Sequence, residues 1–93
     1  MSASSTELFD SSIPWALSAE VSLRDEAFGA LAYHHGNRRL VFLKSVELVS
    51  LVRQLASFAS VDDAVAACAP ATERARYVRA LHSLVSSEII RAR

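Results

Sequence analysis

The side chains most able to do chemistry are three histidines, two carboxylate pairs and one cysteine in this 93-residue chain. His34 and His35 are adjacent, so on a strand their side chains point to opposite faces and cannot chelate one ion together. His82 lies far along the chain, and no cysteine or carboxylate falls at ligand spacing around the three histidines. The sequence therefore predicts no metal site and no bound cofactor.

The carboxylate pairs and the cysteine have structural interpretations. Asp25 and Glu26 fall at a turn, and Asp62 and Asp63 fall at the start of a helix, so neither pair indicates acid–base catalysis. Two glycines are too few for a phosphate-binding loop, and no serine sits in a nucleophile-elbow context. Cys68, among alanines, is typical of a small buried hydrophobe in a reducing compartment. The residues thus predict a protein that is not an enzyme.

The composition restricts the possible partners. Ten basic and ten acidic residues give a net charge of zero, and 52% of the residues are hydrophobic. A neutral chain has no general attraction for nucleic acid or for an anionic membrane. The N-terminus lacks the basic start and apolar run of a signal peptide, and the apolar runs are too short for a membrane span. We expect a soluble, cytoplasmic domain.

A β-hairpin over residues 28–44 is the element around which the chain is organised. Two apolar runs flank Gly36 and Asn37, a pair typical of a two-residue turn in which the glycine takes a positive φ. The register then assigns the side chains to two faces. We expect the face with the larger side chains to pack on the core; it pairs Leu31 with Phe42 and Tyr33 with Leu40. We expect the opposite face to be half covered; it pairs Ala30 with Leu43, Ala32 with Val41 and His34 with Arg39.

The segments before the hairpin complete a sheet. Residues 1–12 are serine-rich and without period, which predicts a disordered tail. Trp15 is expected to fix the N-terminus on the core, and residues 21–24 alternate apolar and polar as a half-exposed strand does. The three strands form an antiparallel meander in which residues 28–35 are central. Residues 38–44 are then an exposed edge.

After the sheet the hydrophobic period changes from 2 to 3.6, which predicts three helices. Ser45, Ser60 and Thr72 are positioned to cap them, and Pro70 ends the second. The apolar face of the last helix includes Tyr77, Val78 and Leu81, and residues 91–93 predict a mobile basic end. Strands followed by helices indicate an α+β domain over residues 13–90.

The last two helices also permit a helix-turn-helix, which keeps a second function open. The final helix would then offer Arg74, Arg76 and Arg79 to DNA. Zero net charge and the acidic residues beside that helix weigh against this, because phosphate attraction supplies much of the affinity of such modules. The alternative function is a winged-helix DNA-binding transcriptional regulator.

The strand half of the chain carries four motifs: Trp15-x-Leu17, Val21-x-Leu23-Arg24-x-Glu26, Phe28-Gly29-Ala30-Leu31-x-Tyr33-His34 and Arg39-Leu40-x-Phe42-Leu43-Lys44-Ser45. These motifs closely resemble those of the peptide chaperones of mycofactocin biosynthesis, which belong with the leader-recognition domains of ribosomally made, modified peptides. The resemblance covers roughly residues 13–90; it is specific in the first half and follows only the pattern in the helices. The serine-rich start and Val41 depart from the family pattern.

The resemblance implies a winged helix-turn-helix-like fold that binds the leader of a short precursor peptide and presents it to a radical S-adenosylmethionine maturase. The iron–sulfur clusters would belong to that partner. Family members bind the leader as an added strand between the third strand and the last helix. A simpler interpretation is that the basic residues only protect an idle edge. The implied site comprises Arg38, Arg39, Leu40, Val41, Phe42, Leu43, Lys44, Arg74, Tyr77, Val78 and Leu81.

Overall fold

The computed structural model describes residues 9–93, and its elements follow the α+β order expected from the sequence. Two one-turn 3-10 segments, Leu55–Ser57 and Ala71–Glu73, follow the first and the second helix. The strands and helices are β1 (Trp15–Leu17), β2 (Val21–Glu26), β3 (Gly29–His34), β4 (Leu40–Leu43), α1 (Val46–Gln54), α2 (Val61–Cys68), α3 (Arg74–Ser86) and β5 (Ile90–Ala92).

Strands β2, β3 and β4 form the expected antiparallel meander with β3 in the middle. The predicted hairpin register is also confirmed, since Leu31 pairs with Phe42 and Tyr33 with Leu40. The predicted two-residue turn is wrong, because the residue with positive φ is Arg38, at 65°, and not the glycine. The N–H of Arg38 donates to the His34 carbonyl at 2.8 Å, which closes a wider turn.

The side chain of His34 gives the physical reason for the wider turn. Its Nδ1 accepts hydrogen bonds from the backbone N–H groups of Gly36 and Asn37 at 3.0 and 3.1 Å. The Oδ1 of Asn37 in turn accepts from the N–H of Arg39 at 2.9 Å. The His34 and Asn37 side chains thus supply hydrogen-bond acceptors for backbone N–H groups of the loop. These local bonds stabilise a wider loop in place of the two-residue turn.

The prediction of which sheet face packs on the core is wrong. Ala30 and Ala32 are 0% exposed and Leu43 is 1% exposed, whereas Leu40 and Phe42 are each 54% exposed. Helix α1 lies against β3 and β4. Small side chains on the sheet allow close approach of the helix, so the larger side chains of the helices fill the core instead.

Local capping determines where two of the helices begin. The Oγ of Ser45 accepts from the N–H of Leu48 at 3.1 Å, and the Oγ of Ser60 accepts from the N–H of Asp63 at 3.0 Å, as predicted. The predicted cap at Thr72 is wrong. Thr72 lies inside the 3-10 turn that follows Pro70, and α3 begins after it without a side-chain cap.

A second, two-stranded sheet joins the two ends of the described chain. Strands β1 and β5 pair antiparallel, with Ala16 opposite Arg91. Glu88, at φ 61°, ends α3, and the following N–H of Ile89 donates to the Leu84 carbonyl at 2.9 Å. The chain thereby turns from α3 into β5. Residues 91 and 92 lie in a paired strand, which differs from the mobile basic end expected over residues 91–93.

Trp15 is buried and fixes the N-terminal segment, as expected. Its indole Nε1 donates to the carbonyl of Asp10 at 2.9 Å, and the Phe9 ring packs edge-on against it at 5.0 Å. The disordered tail expected over residues 1–12 falls mostly outside the described residues. Within the described part, residues 9 and 10 contact the folded domain.

Candidate functional site

A groove lies between the end of β4 and helix α3. It has a volume of about 160 Å³. Leu48 and Tyr77 are largely buried and form an apolar floor, while the cationic side chains of Lys44 and Arg76 are exposed at the rim. The lining residues are Lys44, Ser45, Leu48, Arg76, Tyr77 and Ala80.

The backbone groups of β4 alternate between β3 and the open edge. The N–H of His34 donates to the Arg39 carbonyl at 2.9 Å. In an antiparallel ladder the hydrogen-bonded pairs recur at every second residue, so Val41 and Leu43 bond to β3. The N–H and C=O groups of Leu40 and Phe42 therefore point away from the sheet.

The other side of β3 supports this assignment independently. The N–H of His35 donates to the Glu20 carbonyl at 2.8 Å. By the same alternation, the backbone groups of Leu31 and Tyr33 bond to β2. The backbone groups of Ala30 and Ala32 then point to the other side of β3 and bond to β4. The two ladders are mutually consistent.

Strand β4 is therefore an open edge beside the groove. Within the described residues it is the last strand of its sheet, with a neighbour on one side only. An unpaired row of N–H and C=O groups is a template for an additional strand. Arg38, Arg39 and Lys44 are exposed along this edge, and none of them forms an ion pair with a residue in the range 9–93. The edge is polar, basic and accessible.

The structure brings together part of the predicted site. Leu40, Phe42 and Lys44 lie on the open edge, and Tyr77 lies across the groove from Lys44. Val41 and Val78 are half-buried and pack against the core.

Three other predicted site residues lie elsewhere. Leu43 and Leu81 are buried core residues. The guanidinium of Arg74 donates to the carbonyl of Ala66 on α2 at 3.5 Å, so this side chain is directed to the neighbouring helix and not into the groove.

Four groove residues were not among the predicted site residues: Ser45, Leu48, Arg76 and Ala80. Arg76 forms an ion pair with Glu73, and its guanidinium carbon lies 5.3 Å from the centre of the Tyr77 ring, which holds it at the rim. Arg76 and Ala80 are four residues apart and thus on one side of the helix. This spacing was the available signal, but in sequence it is indistinguishable from an ordinary solvated helix face.

The three histidines each have a structural partner. His34 supports the turn, His35 Nε2 lies 2.7 Å from the Ser22 hydroxyl, and His82 stacks on Phe9 at 5.6 Å. Among residues 9–93, no three His, Cys, Asp or Glu side chains are grouped so that they could hold a metal ion.

Cys68 is half-buried. No helix in the described part of the chain has the length and apolar character needed to cross a bilayer.

A three-stranded sheet whose β4 edge lies beside the last of three helices defines a small α+β domain of the class that can accept an extended peptide at its edge. The model of the "Peptide chaperone MftB family" matches residues 14–91, and the chain belongs to this family. This confirms the resemblance to the peptide chaperones of mycofactocin biosynthesis.

Curated relatives agree with the family model. The chain is 42% identical to the peptide chaperone MftB of Mycobacterium ulcerans over 83 residues, which is 88% of this chain and 76% of that protein. It is 40% identical to the Mycolicibacterium smegmatis protein of the same name, with 88% and 81% covered. The corresponding Mycobacterium tuberculosis protein is 36% identical, with 88% and 76% covered. No solved structure matches the chain significantly.

Proposed function

We propose that this chain is a peptide chaperone of mycofactocin biosynthesis that binds the leader of a short precursor peptide as an added strand on β4. It then presents the peptide to a radical S-adenosylmethionine maturase. The observation that carries this proposal is the outward direction of the N–H and C=O groups of Leu40 and Phe42 beside the α3 groove. Membership of the peptide chaperone family supports the same function.

In strand addition, the backbone and the side chains of the peptide make different contributions to binding. The peptide backbone bonds to Leu40 and Phe42, and each such hydrogen bond contributes about 0.5–1.5 kcal/mol net. Because side chains alternate along a strand, every second peptide side chain is directed toward the groove. An apolar side chain there covers Leu48 and Tyr77. The backbone bonds supply affinity for any extended peptide, and the groove supplies selectivity.

The charges at the groove rim favour an acidic peptide. Lys44 flanks the groove beside the Arg76–Glu73 ion pair, and Arg38 and Arg39, which form no ion pair within residues 9–93, lie at the far end of β4. Cations along one edge attract acidic side chains and accelerate encounter more than they raise affinity. We therefore expect a leader that alternates apolar residues with carboxylates.

The chain's own part in the reaction is binding and orientation. The iron–sulfur chemistry and its cofactor belong to the maturase, and the chaperone raises the effective concentration of the peptide at that enzyme. Both proteins then work in the cytoplasm.

A titration of the full-length protein with the precursor peptide encoded beside its gene tests this function. We expect saturable one-to-one binding by calorimetry, lost when the leader is removed from the peptide. The largest amide shifts should fall on Leu40, Phe42 and Tyr77. Trp15 fluorescence is a poor reporter, because Trp15 lies in the β1–β5 sheet and not in the groove.

The competing function, a DNA-binding regulator, makes a different prediction. It requires sequence-specific retardation of the gene's own promoter with a steep salt dependence, abolished by Arg76→Ala together with Arg79→Ala. Such retardation, combined with no binding of the precursor, would overturn the peptide-chaperone proposal.

A further inference from the structure

The sheet presents a broad apolar surface on the side away from the helices. The rings of Phe28 and Phe42 lie 6.0 Å apart on this surface, and both are exposed. Beside them is a depression of about 320 Å³ that is lined partly by Leu31, Tyr33 and Leu40. We call this surface the outer apolar face; it consists of Phe28, Leu31, Tyr33, Leu40 and Phe42.

The charges on this side of the sheet limit what it could bind. Arg24 and Glu26 lie on the same face of β2 and form an ion pair at 2.8 Å. The pair cancels the two charges that β2 contributes to this face, and the exposed cations Arg38 and Lys44 lie only at its β4 border. Exposed apolar patches of this kind mark protein interaction sites. A neutral, apolar protein surface is the complementary partner.

The outer apolar face is continuous with the proposed peptide edge. Leu40 and Phe42 contribute their side chains to the face, while their backbone groups point along the edge. A strand added there would place every second side chain in line with Leu40 and Phe42. A bound peptide therefore widens the same surface.

This geometry also restricts how a third protein can approach. With a peptide on β4, one side of the peptide faces the α3 groove and one edge is paired with the sheet. A protein that approaches the outer apolar face contacts the chaperone and the peptide at the same time. A protein that approaches from the helical side meets α3 first.

We propose that the outer apolar face docks the maturase, and that alternate side chains of the bound peptide complete the docking surface. The maturase then offers a neutral, apolar patch, and it distinguishes the loaded chaperone from the empty one by the wider surface. This inference rests on the proposed function, since it assumes strand addition at β4.

The test uses substitutions on the face that avoid β4 and the groove. The double variant Phe28→Ser with Tyr33→Thr removes two aromatic rings and leaves the edge backbone unchanged. Ile13→Ser is the matched control, because Ile13 is an exposed apolar residue whose carbonyl accepts from the N–H of Val61 on α2, away from this face. Each full-length variant is assayed for its melting point, its molar mass in solution, precursor binding and maturase binding.

We expect the double variant to bind the precursor within about twofold of the parent and the maturase at least about tenfold more weakly, a loss typical of interface hot spots. Ile13→Ser should bind both as the parent does. The parent should bind the maturase more tightly when the precursor is present. Arg24→Glu breaks the ion pair with Glu26 and adds a negative charge to the face, and the Arg24 side chain is highly exposed, so the fold should tolerate the change. It should also weaken maturase docking, and this covers the case in which the double variant fails to fold.

Three outcomes would overturn the inference. One is maturase binding by the folded double variant or by Arg24→Glu that equals that of the parent. Another is a parent dimer that the double variant dissociates without any change in maturase binding, which would assign the face to a second copy of the chain. The third is equal maturase affinity with and without bound precursor. Failure of the parent to bind the precursor at all would instead count against the proposed function.

Discussion

Leu31 and Phe42 are cross-strand partners on the side of the sheet turned away from the helices. One residue further along β4, Leu43 is buried opposite Ala30. The alternation along a single four-residue strand therefore separates two roles. Val41 and Leu43 attach the strand to the domain, and Leu40 and Phe42 remain available at its edge and on its outer face.

The first prediction compares the two faces of β4. Phe42→Ala should lower the free energy of unfolding by much less than the roughly 3–5 kcal/mol lost when a buried phenylalanine is truncated. Leu43→Ala should cost about 2–5 kcal/mol, because it leaves a cavity under the helices. Urea unfolding of both variants measures the difference. A larger loss for Phe42→Ala than for Leu43→Ala would contradict the observed assignment of the faces.

The second prediction concerns the start of β3. Gly29 has a φ of 152°, and a Cβ there would overlap the Leu43 carbonyl oxygen and lie 2.8 Å from the Ser45 nitrogen. Both neighbours are backbone atoms that cannot turn aside. Gly29→Ala should therefore destabilise the protein by about 1–3 kcal/mol or more.

Gly36→Ala is the control for that substitution. A Cβ at Gly36 would meet side-chain atoms: the carboxylate of Glu20, the end of a flexible side chain, and Cε1 of the His34 ring at 2.9 Å. Thermal unfolding should show a smaller loss for Gly36→Ala than for Gly29→Ala, because side-chain neighbours can shift and backbone neighbours cannot. Equal melting points would show that the close approach at Gly29 is not a constraint.

The third prediction tests the hairpin turn. His34→Phe keeps a ring in a buried position but removes the acceptor for the N–H groups of Gly36 and Asn37. The cost should be about 1–2 kcal/mol for two lost hydrogen bonds. His34→Asn retains an acceptor near the same position and should recover part of the loss. Amide hydrogen exchange at Gly36 and Asn37 reports the turn directly, and unchanged protection in His34→Phe would contradict this role.

Local signals in the sequence were sufficient for several features of the fold. The alternation of apolar residues and the position of Gly36 and Asn37 predicted the hairpin register, and the serines at 45 and 60 predicted two helix starts. Each of these depends on residues close together in the chain. The open edge of the candidate site could be predicted for the same reason, because it follows from strand order alone.

Features that depend on distant packing could not be predicted. Ala30 and Ala32 face the core because helix α1 approaches closely, and residue size alone suggested the opposite face. The β1–β5 sheet joins two three-residue strands from opposite ends of the chain, and such short strands have no detectable period. Arg76 was missed at the groove, because an arginine on a helix is usually only solvated.

The fourth prediction tests the groove by placing a larger side chain on α3. Ala80 lines the groove, whereas Ala75 is exposed on the same helix outside it. Ala80→Gln places a longer side chain where the peptide side chain would enter and should weaken precursor binding by about tenfold, or 1.4 kcal/mol. Ala75→Gln should leave the affinity unchanged. Calorimetry with the precursor measures both, and equal affinities would place the peptide outside the groove.

The fifth prediction isolates the backbone of the open edge. The N–H of Phe42 points outward, so Phe42→Pro removes a donor that the sheet does not use. The N–H of Val41 bonds to β3, so Val41→Pro should disrupt the sheet and sharply lower the melting point. Phe42→Pro should stay folded and bind the precursor more weakly than Phe42→Ala, which lacks the ring but keeps the donor. One hydrogen bond predicts a difference of roughly 2- to 13-fold in Kd.

The comparison of Phe42→Pro with Phe42→Ala decides between strand addition and binding by side chains alone. Both variants lose the ring from the outer apolar face, so any difference between them arises from the backbone N–H and the fixed φ of proline. Leu40→Pro with Leu40→Ala repeats the comparison at the other outward residue and should show a difference of the same sign. If both folded proline variants bind the precursor as tightly as their alanine counterparts, the peptide does not pair with β4. The peptide must then lie across side chains, and the depression beside Leu31, Tyr33 and Leu40 becomes its most suitable position.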